Sequence, residues 1–258
     1  MDLRLTFNEV PELYDRLRPT YVTELYRDIE EYSGISDKSR ILEIGIGTGQ
    51  ATRPFLEMGC DVTAIELGEN LAAFTKEKFK SYDNFEIINM AFEEYECPEN
   101  TFDMIYSASA FHWIPEDIGY LKVLRLLKNG GTFARFANHP YKDKGNESLH
   151  VAIQELYEKY MPHISLIKPV EYNEEMASKR SKIGNKYGFI DTKCELYHRI
   201  RPLNAKDYSQ IIKTFSDHRI VGEEKLELFL IKTEEAVMQH GGIINLYDTQ
   251  DLQLARNP

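Results

Sequence analysis

The sequence predicts an α/β protein built on an open, doubly wound, mostly parallel sheet, and three observations predict it. Short apolar runs alternate with amphipathic helical patterns through the first half of the 258-residue chain, the rhythm of successive βαβ units. Glycines at positions 45, 47 and 49 follow one of those runs directly, where such sheets turn from strand into helix. Apolar residues make up 42% of the chain, enough for a core and too many for a chain disordered throughout.

Taken in order, a helix is expected from Thr20, with Val22, Leu25, Tyr26, Ile29 and Tyr32 on one face and Gly34 as its stop. Residues 40–44 form the first strand, 50–58 a short helix ended by Gly59, and 60–67 (CDVTAIEL) the second strand. A helix over 69–80, a third strand over 85–90 and a fourth over 102–108 follow. A helix over 117–127 leads to Asn129-Gly130-Gly131, read as a stop before a fifth strand at 132–137.

After Asn138 the pattern changes. Residues 146–160 carry Leu149, Ile153, Leu156, Tyr157 and Tyr160 at helical spacing, and 173–187 is a more polar helical stretch. Together they read as a cap inserted after the fifth strand. Residues 194–203 have strand character, 205–215 and 222–240 are helical, and Gly241-Gly242 releases a last strand at 243–247. That strand is expected at the sheet edge, bringing the total to seven.

Charge narrows the function. With 31 basic against 42 acidic residues the chain carries −11, which disfavours nucleic acid and other large anionic partners. The longest charge-free stretch that invites a membrane reading, residues 104–114, falls short of the ~20 residues a spanning helix needs. The first residues, MDLRLTFNEVPELYD, place acids where a signal peptide has a basic and then apolar run. Cys60, Cys97 and Cys194 form no CxxC and no even framework, so a reducing, cytoplasmic setting and no metal are expected.

The chemistry gathers at Ile41-Leu42-Glu43-Ile44-Gly45-Ile46-Gly47-Thr48-Gly49-Gln50. Glycine admits positive φ and lets a ligand approach the backbone without a Cβ in the way. Gln50 stands where a GxGxxG fingerprint has its last glycine, so the dinucleotide pattern is incomplete. Glu66 closes the second strand 21 residues after Gly45, where a carboxylate can accept both hydroxyl protons of a ribose. Each piece has a plainer reading, a tight turn and a solvated strand end. The ordered combination is more specific than either.

These segments resemble the class I S-adenosylmethionine-dependent methyltransferases, and within them the small-molecule branch that includes trans-aconitate and ubiquinone/menaquinone-type enzymes. Residues 43–49 resemble the family's first motif and Glu66 its ribose-binding acid; 96–103 (ECPENTFD), 107–113 (SASAFHW) and 127–131 (LKNGG) resemble the segments around strands four and five. Residues 14–21 (YDRLRPTY) resemble an N-terminal lid motif of one subgroup, and 214–218 (TFSDH) with the Gly241-Gly242 strand its C-terminal half. The resemblance implies a Rossmann-like single domain: 1–34 as lid and first helix, 35–138 as cofactor-binding core, 139–188 as helical cap insertion, and 189–258 completing a seven-stranded sheet with helices on both faces.

It also implies a site. S-adenosylmethionine would lie on Gly45, Gly47, Thr48 and Gly49, with Glu43 near its amino-acid end and Glu66, beside Leu67, on the ribose. Ala91, Phe92 and Glu93 would line the adenine edge, and Ser107 and Ala108 the methionine portion. Relatives often place Asp after strand three, where this chain has Met90-Ala91-Phe92; adenine would then rely on backbone groups, Glu93 and apolar contact. Arg18 is a candidate for the cofactor carboxylate. Tyr14, Tyr21, Phe111, Trp113 and His218 are candidates for the substrate, each with a core or surface alternative. His112, after strand four, is the candidate base.

The function so implied is methyl transfer to a small-molecule acceptor by a monomer or homodimer, without nucleic-acid or membrane partners. A catalytically inactive nucleoside-binding regulator and a nicotinamide-dependent oxidoreductase are the alternatives.

Overall fold

A computed structural model describes residues 11–166, 170–219 and 221–258; the first ten residues of the expected lid lie outside them. The helices are α1 (Pro11–Leu17), α2 (Thr23–Ser33), α3 (Arg53–Glu57), α4 (Glu69–Lys78), α5 (Glu116–Leu126), α6 (Glu147–Tyr160), α7 (Pro162–Ser165), α8 (Glu174–Ser181), α9 (Ala205–Lys213), α10 (Ser216–Arg219) and α11 (Glu223–Gln239). The strands are β1 (Arg40–Ile44), β2 (Asp61–Glu66), β3 (Phe85–Asn89), β4 (Phe102–Ala108), β5 (Leu127–Tyr141), β6 (Ile190–Asn204) and β7 (Ile243–Arg256). They form one seven-stranded sheet in the order β3-β2-β1-β4-β5-β7-β6. The four pairings among β1 to β5 are parallel.

Three strands differ from expectation; β6 begins at Ile190, four residues before the expected start at 194, and the other two differ more. Gly130-Gly131 does not stop the chain before the fifth strand. β5 runs through it, and the register against β4 slips between Phe102↔Leu127 and Met104↔Thr132, so the glycines lie in an irregular stretch of that pairing. The last strand continues from Ile243 to Arg256 and lies between β5 and β6, not at the edge. Its second half, DTQDLQ, lies beyond the strand expected at 243–247 and is polar, yet Asp248, Thr249, Gln250, Asp251 and Gln253 are all buried.

The described residues divide into two compact units. One takes the chain up to Arg18 with His139–Tyr172 and His198–Thr249; the other takes Pro19–Asn138, Asn173–Tyr197 and Gln250–Pro258. In the second unit, residues alternate between the two faces along each strand. Ile41, Val62, Met104 and Phe136 meet Leu25 and Ile29 of α2 and Phe55 of α3. Leu42, Ile44, Ile65 and Ile105 meet Tyr120, Val123 and Leu126 of α5. With both faces covered, these strands present the near-continuous apolar runs of a buried parallel sheet. In the first unit α11 packs on α6 and α9, burying Leu149, Ile153, Ala236 and Val237 in one cluster and Ile211, Ile212, Phe229 and Leu230 in another. Among the described residues no helix is long and apolar enough to cross a membrane.

Candidate active site

The site grows from the C-terminal ends of β1, β2 and β4, all in the second unit. β1 delivers Glu43 and then turns through Gly45, Gly47 and Gly49, whose φ values are +70°, +58° and +77°. Neighbours leave no choice at two of these positions. A Cβ on Gly45 would sit 2.5 Å from the Ala110 Cβ, and one on Gly49 2.3 Å from the Phe79 ring. The turn is tied back to the sheet by Gly45 and Ile46 N–H groups donating to the Ile65 carbonyl at 2.9 and 3.2 Å.

Glu66 is buried at the end of β2. Its Oε2 accepts the Gly47 N–H and its Oε1 the Gly68 N–H, each at 2.8 Å. Burial raises its pKa, against the lowering effect of these backbone bonds. Each carboxylate oxygen has a second lone pair, so the two acceptors suit the paired hydroxyl donors of a vicinal diol. Leu67, next to it, is half-buried, and its carbonyl accepts from Asn89 Nδ2 at 3.0 Å.

Glu43 lies deeper. Its Oε2 accepts from the Tyr106 hydroxyl at 2.6 Å and the Thr52 hydroxyl at 2.7 Å. Burial pushes its pKa up to about 7, while the two hydroxyls pull it down. Tyr106 and Thr52 carry no local motif and were missed by sequence reasoning. So were two residues of α4: Thr75 donates to the Gly47 carbonyl at 2.6 Å and Lys78 to the Thr48 carbonyl at 2.7 Å. Their spacing of three places both on one helical face, which was the available signal. Thr48 itself is buried, its hydroxyl accepting from Gln50 Nε2 at 2.5 Å.

After β3, Ala91 precedes a short 3-10 turn, Phe92–Glu94, with Phe92 buried beneath the Lys122 ammonium at 5.5 Å from the ring centre. Lys122 also donates to the Glu93 carbonyl at 2.9 Å. After β4, Ser107 donates to the Ile44 carbonyl at 2.9 Å, so its hydroxyl joins the strands rather than facing outward. Ala108 is half-buried. Ser109 takes φ +57°, and its hydroxyl lies 2.9 Å from that of Tyr21.

The 3-10 turn Phe111–Trp113 divides its residues. Phe111 is buried against Tyr120 and Phe133, with the Arg135 guanidinium 5.0 Å from its ring; its face is core. His112 is exposed, its ring 5.0 Å from that of the half-buried Trp113.

Three expected site residues belong to the first unit. Arg18 donates from Nη2 to the Thr214 carbonyl at 2.9 Å, and its guanidinium lies over the rings of Phe215 at 4.7 Å and Tyr14 at 4.9 Å. His218 is buried, with Nδ1 2.7 Å from Asp217 Oδ1 and Nε2 2.9 Å from the Tyr157 hydroxyl. No group of metal-binding side chains occurs among the described residues.

A strand, a left-handed glycine turn, a helix and a terminal acid on the neighbouring strand define a nucleoside-binding α/β enzyme class. The family described as a methyltransferase domain matches residues 42–134. An uncharacterized methyltransferase of Geobacillus kaustophilus is 32% identical over 159 residues, covering 58% of this chain and 71% of that protein. A malonyl-[acyl-carrier protein] O-methyltransferase of Paenibacillus is 29% identical over 162 residues, 58% of this chain; the match spans just over half, 56%, of that relative's length. Among solved structures, a Haemonchus contortus phosphoethanolamine N-methyltransferase 2 with phosphomonomethylethanolamine and S-adenosylhomocysteine aligns at TM-score 0.58 and 16% identity, over 100% of this chain and 60% of that one. At that identity the likeness concerns the fold. The chain belongs to the class I S-adenosylmethionine-dependent methyltransferases, and S-adenosylmethionine is the cofactor that goes with that family.

Proposed function

We propose that the protein transfers the methyl group of S-adenosylmethionine to a small-molecule acceptor by in-line displacement, at a site built on the turn of residues 45–49 and on Glu66. The observation that carries this reading is the buried Glu66 carboxylate at the end of β2, bonded to the middle of the glycine turn and retaining acceptor capacity on both oxygens. When bound, the cofactor supplies an electrophilic methyl on a sulfonium. Glu66 holds the ribose hydroxyls, the turn backbone lies along the ribose and methionine, and residues 91–93 flank the adenine. Glu43 stands behind the turn as the acid facing the amino-acid end.

What the chain must then do is hold acceptor and methyl in line, and orientation of this kind contributes ~7–11 kcal/mol of a barrier. The exposed His112, on the turn after β4, is proposed to take the acceptor's proton where that acceptor is a hydroxyl or amine. A small acceptor is supported by the net charge of −11, which disfavours polyanions.

Methyl-labelled S-adenosylmethionine incubated with a size-fractionated cell extract tests the acceptor class. Label is expected in the low-molecular-mass fraction. Saturable labelling confined to RNA, DNA or protein would overturn the small-molecule reading.

A further inference from the structure

Gln250 is fully buried on β7, at a position the sequence does not mark. A buried primary amide is costly unless its donors and acceptor are all satisfied. Here both ends are used, on segments far apart in the chain. Nε2 donates to the Thr20 carbonyl at 3.0 Å and to Asn138 Oδ1 at 3.2 Å, while Oε1 accepts the Val22 N–H at 2.9 Å. The side chain thus takes the carbonyl of residue 20 and the amide of residue 22, as a neighbouring strand would.

Tyr21 lies between those two contacts. Its ring meets Phe136 edge-on at 4.7 Å, and its hydroxyl is 2.9 Å from Ser109 Oγ. Ser109 is fixed twice more, by its N–H to the Phe136 carbonyl at 2.8 Å and by the Asn138 N–H to its Oγ at 3.4 Å. It holds φ +57°, a conformation that is strained for a residue with a Cβ and persists only where its surroundings enforce it. The next residue, Ala110, is the one that leaves no room for a Cβ on Gly45. A continuous set of contacts therefore runs from Gln250 through residues 20–22, Tyr21, Ser109 and Ala110 to the first glycine of the turn.

We propose that Gln250 is a positioning residue for the cofactor site, clamping residues 20–22 so that Tyr21 holds Ser109 in its left-handed conformation and Ala110 against Gly45. The proposal rests on the assignment of the turn and Glu66 as that site. It separates Gln250 from a residue that only stabilises β7, because the clamp acts on ligand affinity through Tyr21.

The test is titration of wild type, Gln250→Leu, Tyr21→Phe and the double variant with S-adenosylhomocysteine, alongside hydrogen exchange of residues 20–25. Gln250→Leu is expected to weaken binding about five- to tenfold, with faster exchange at 20–22. Tyr21→Phe, which changes only one hydroxyl and so should fold, is expected to weaken it about fivefold. The double variant should bind no more weakly than Gln250→Leu alone. Lower thermal stability with unchanged affinity, additive losses in the double variant, or unchanged affinity in Tyr21→Phe if Gln250→Leu fails to fold, would each overturn the proposal. Glu66→Ala in the same titration keeps the two readings apart, since unchanged affinity there removes the site assignment and not the clamp alone.

Discussion

Glu66 Oε2 and the Gly47 backbone N–H are joined by a 2.8 Å hydrogen bond that links the end of β2 to the middle of the glycine turn. The acid proposed to hold a ribose therefore also shapes the turn beside it. Its second oxygen is anchored at the same distance by Gly68, so the carboxylate is oriented before any ligand arrives. Pre-orientation of this kind lowers the entropy lost on binding.

Two glycines of the turn are required by the protein's own packing. At Gly45 a methyl would stand 2.5 Å from Ala110 on a backbone of φ +70°, whereas Gly34 has φ +68° and nothing within 4 Å. Both Gly→Ala changes incur backbone strain, but only Gly45→Ala adds overpacking, worth about 1–3 kcal/mol more. Urea denaturation of the two variants checks this. Equal losses would show that Ala110 yields freely.

Much of this was legible locally and little of it at long range. β1 ends at the glycine turn and β4 before Ser109-Ala110, and the limits of both were read to the residue. Glu66 and the turn were legible because strand, glycines and acid lie close in sequence. The second half of β7 was not. Its polarity suggests a loop, but partners elsewhere satisfy its side chains, as Arg201 does for Asp248 at 2.8 Å and Thr20, Val22 and Asn138 do for Gln250. Gly130-Gly131 was misread because a glycine pair can sit in an irregular stretch within a strand as well as at a stop before one. The hydroxyls on Glu43 were invisible for a different reason, since the β1–β4 register sets Tyr106 opposite Glu43.

Glu43 makes stability depend on pH. Burial raises it from 4.5 to about 7, so the folded chain binds this proton more tightly than the unfolded chain. The resulting stabilisation is full below about 4.5 and is lost as pH rises to about 7. Its upper bound is roughly 3 kcal/mol. Glu43→Gln carries no charge at any pH and should therefore gain stability relative to wild type between about pH 5 and pH 8. Denaturation at those two pH values measures the difference. A gap between the proteins that does not change with pH would mean Glu43 titrates normally.

His112 is exposed on its turn, so replacing it should leave the fold and cofactor affinity intact. If it takes the acceptor's proton, His112→Gln lowers the rate of label transfer into the small-molecule pool about a hundredfold near neutral pH. Binding of S-adenosylhomocysteine should be unchanged in the same preparation. An undiminished transfer rate would show that the acceptor loses its proton elsewhere.

The central claim is that the Glu66 carboxylate, set against the glycine turn, holds the cofactor. Calorimetric titration of S-adenosylhomocysteine into wild type and Glu66→Ala tests it directly, with circular dichroism confirming that both are folded. Hydrogen bonds to a charged group contribute ~1.5–3 kcal/mol each, so affinity should fall at least about tenfold in the variant. Unchanged affinity in a folded Glu66→Ala protein would contradict the account.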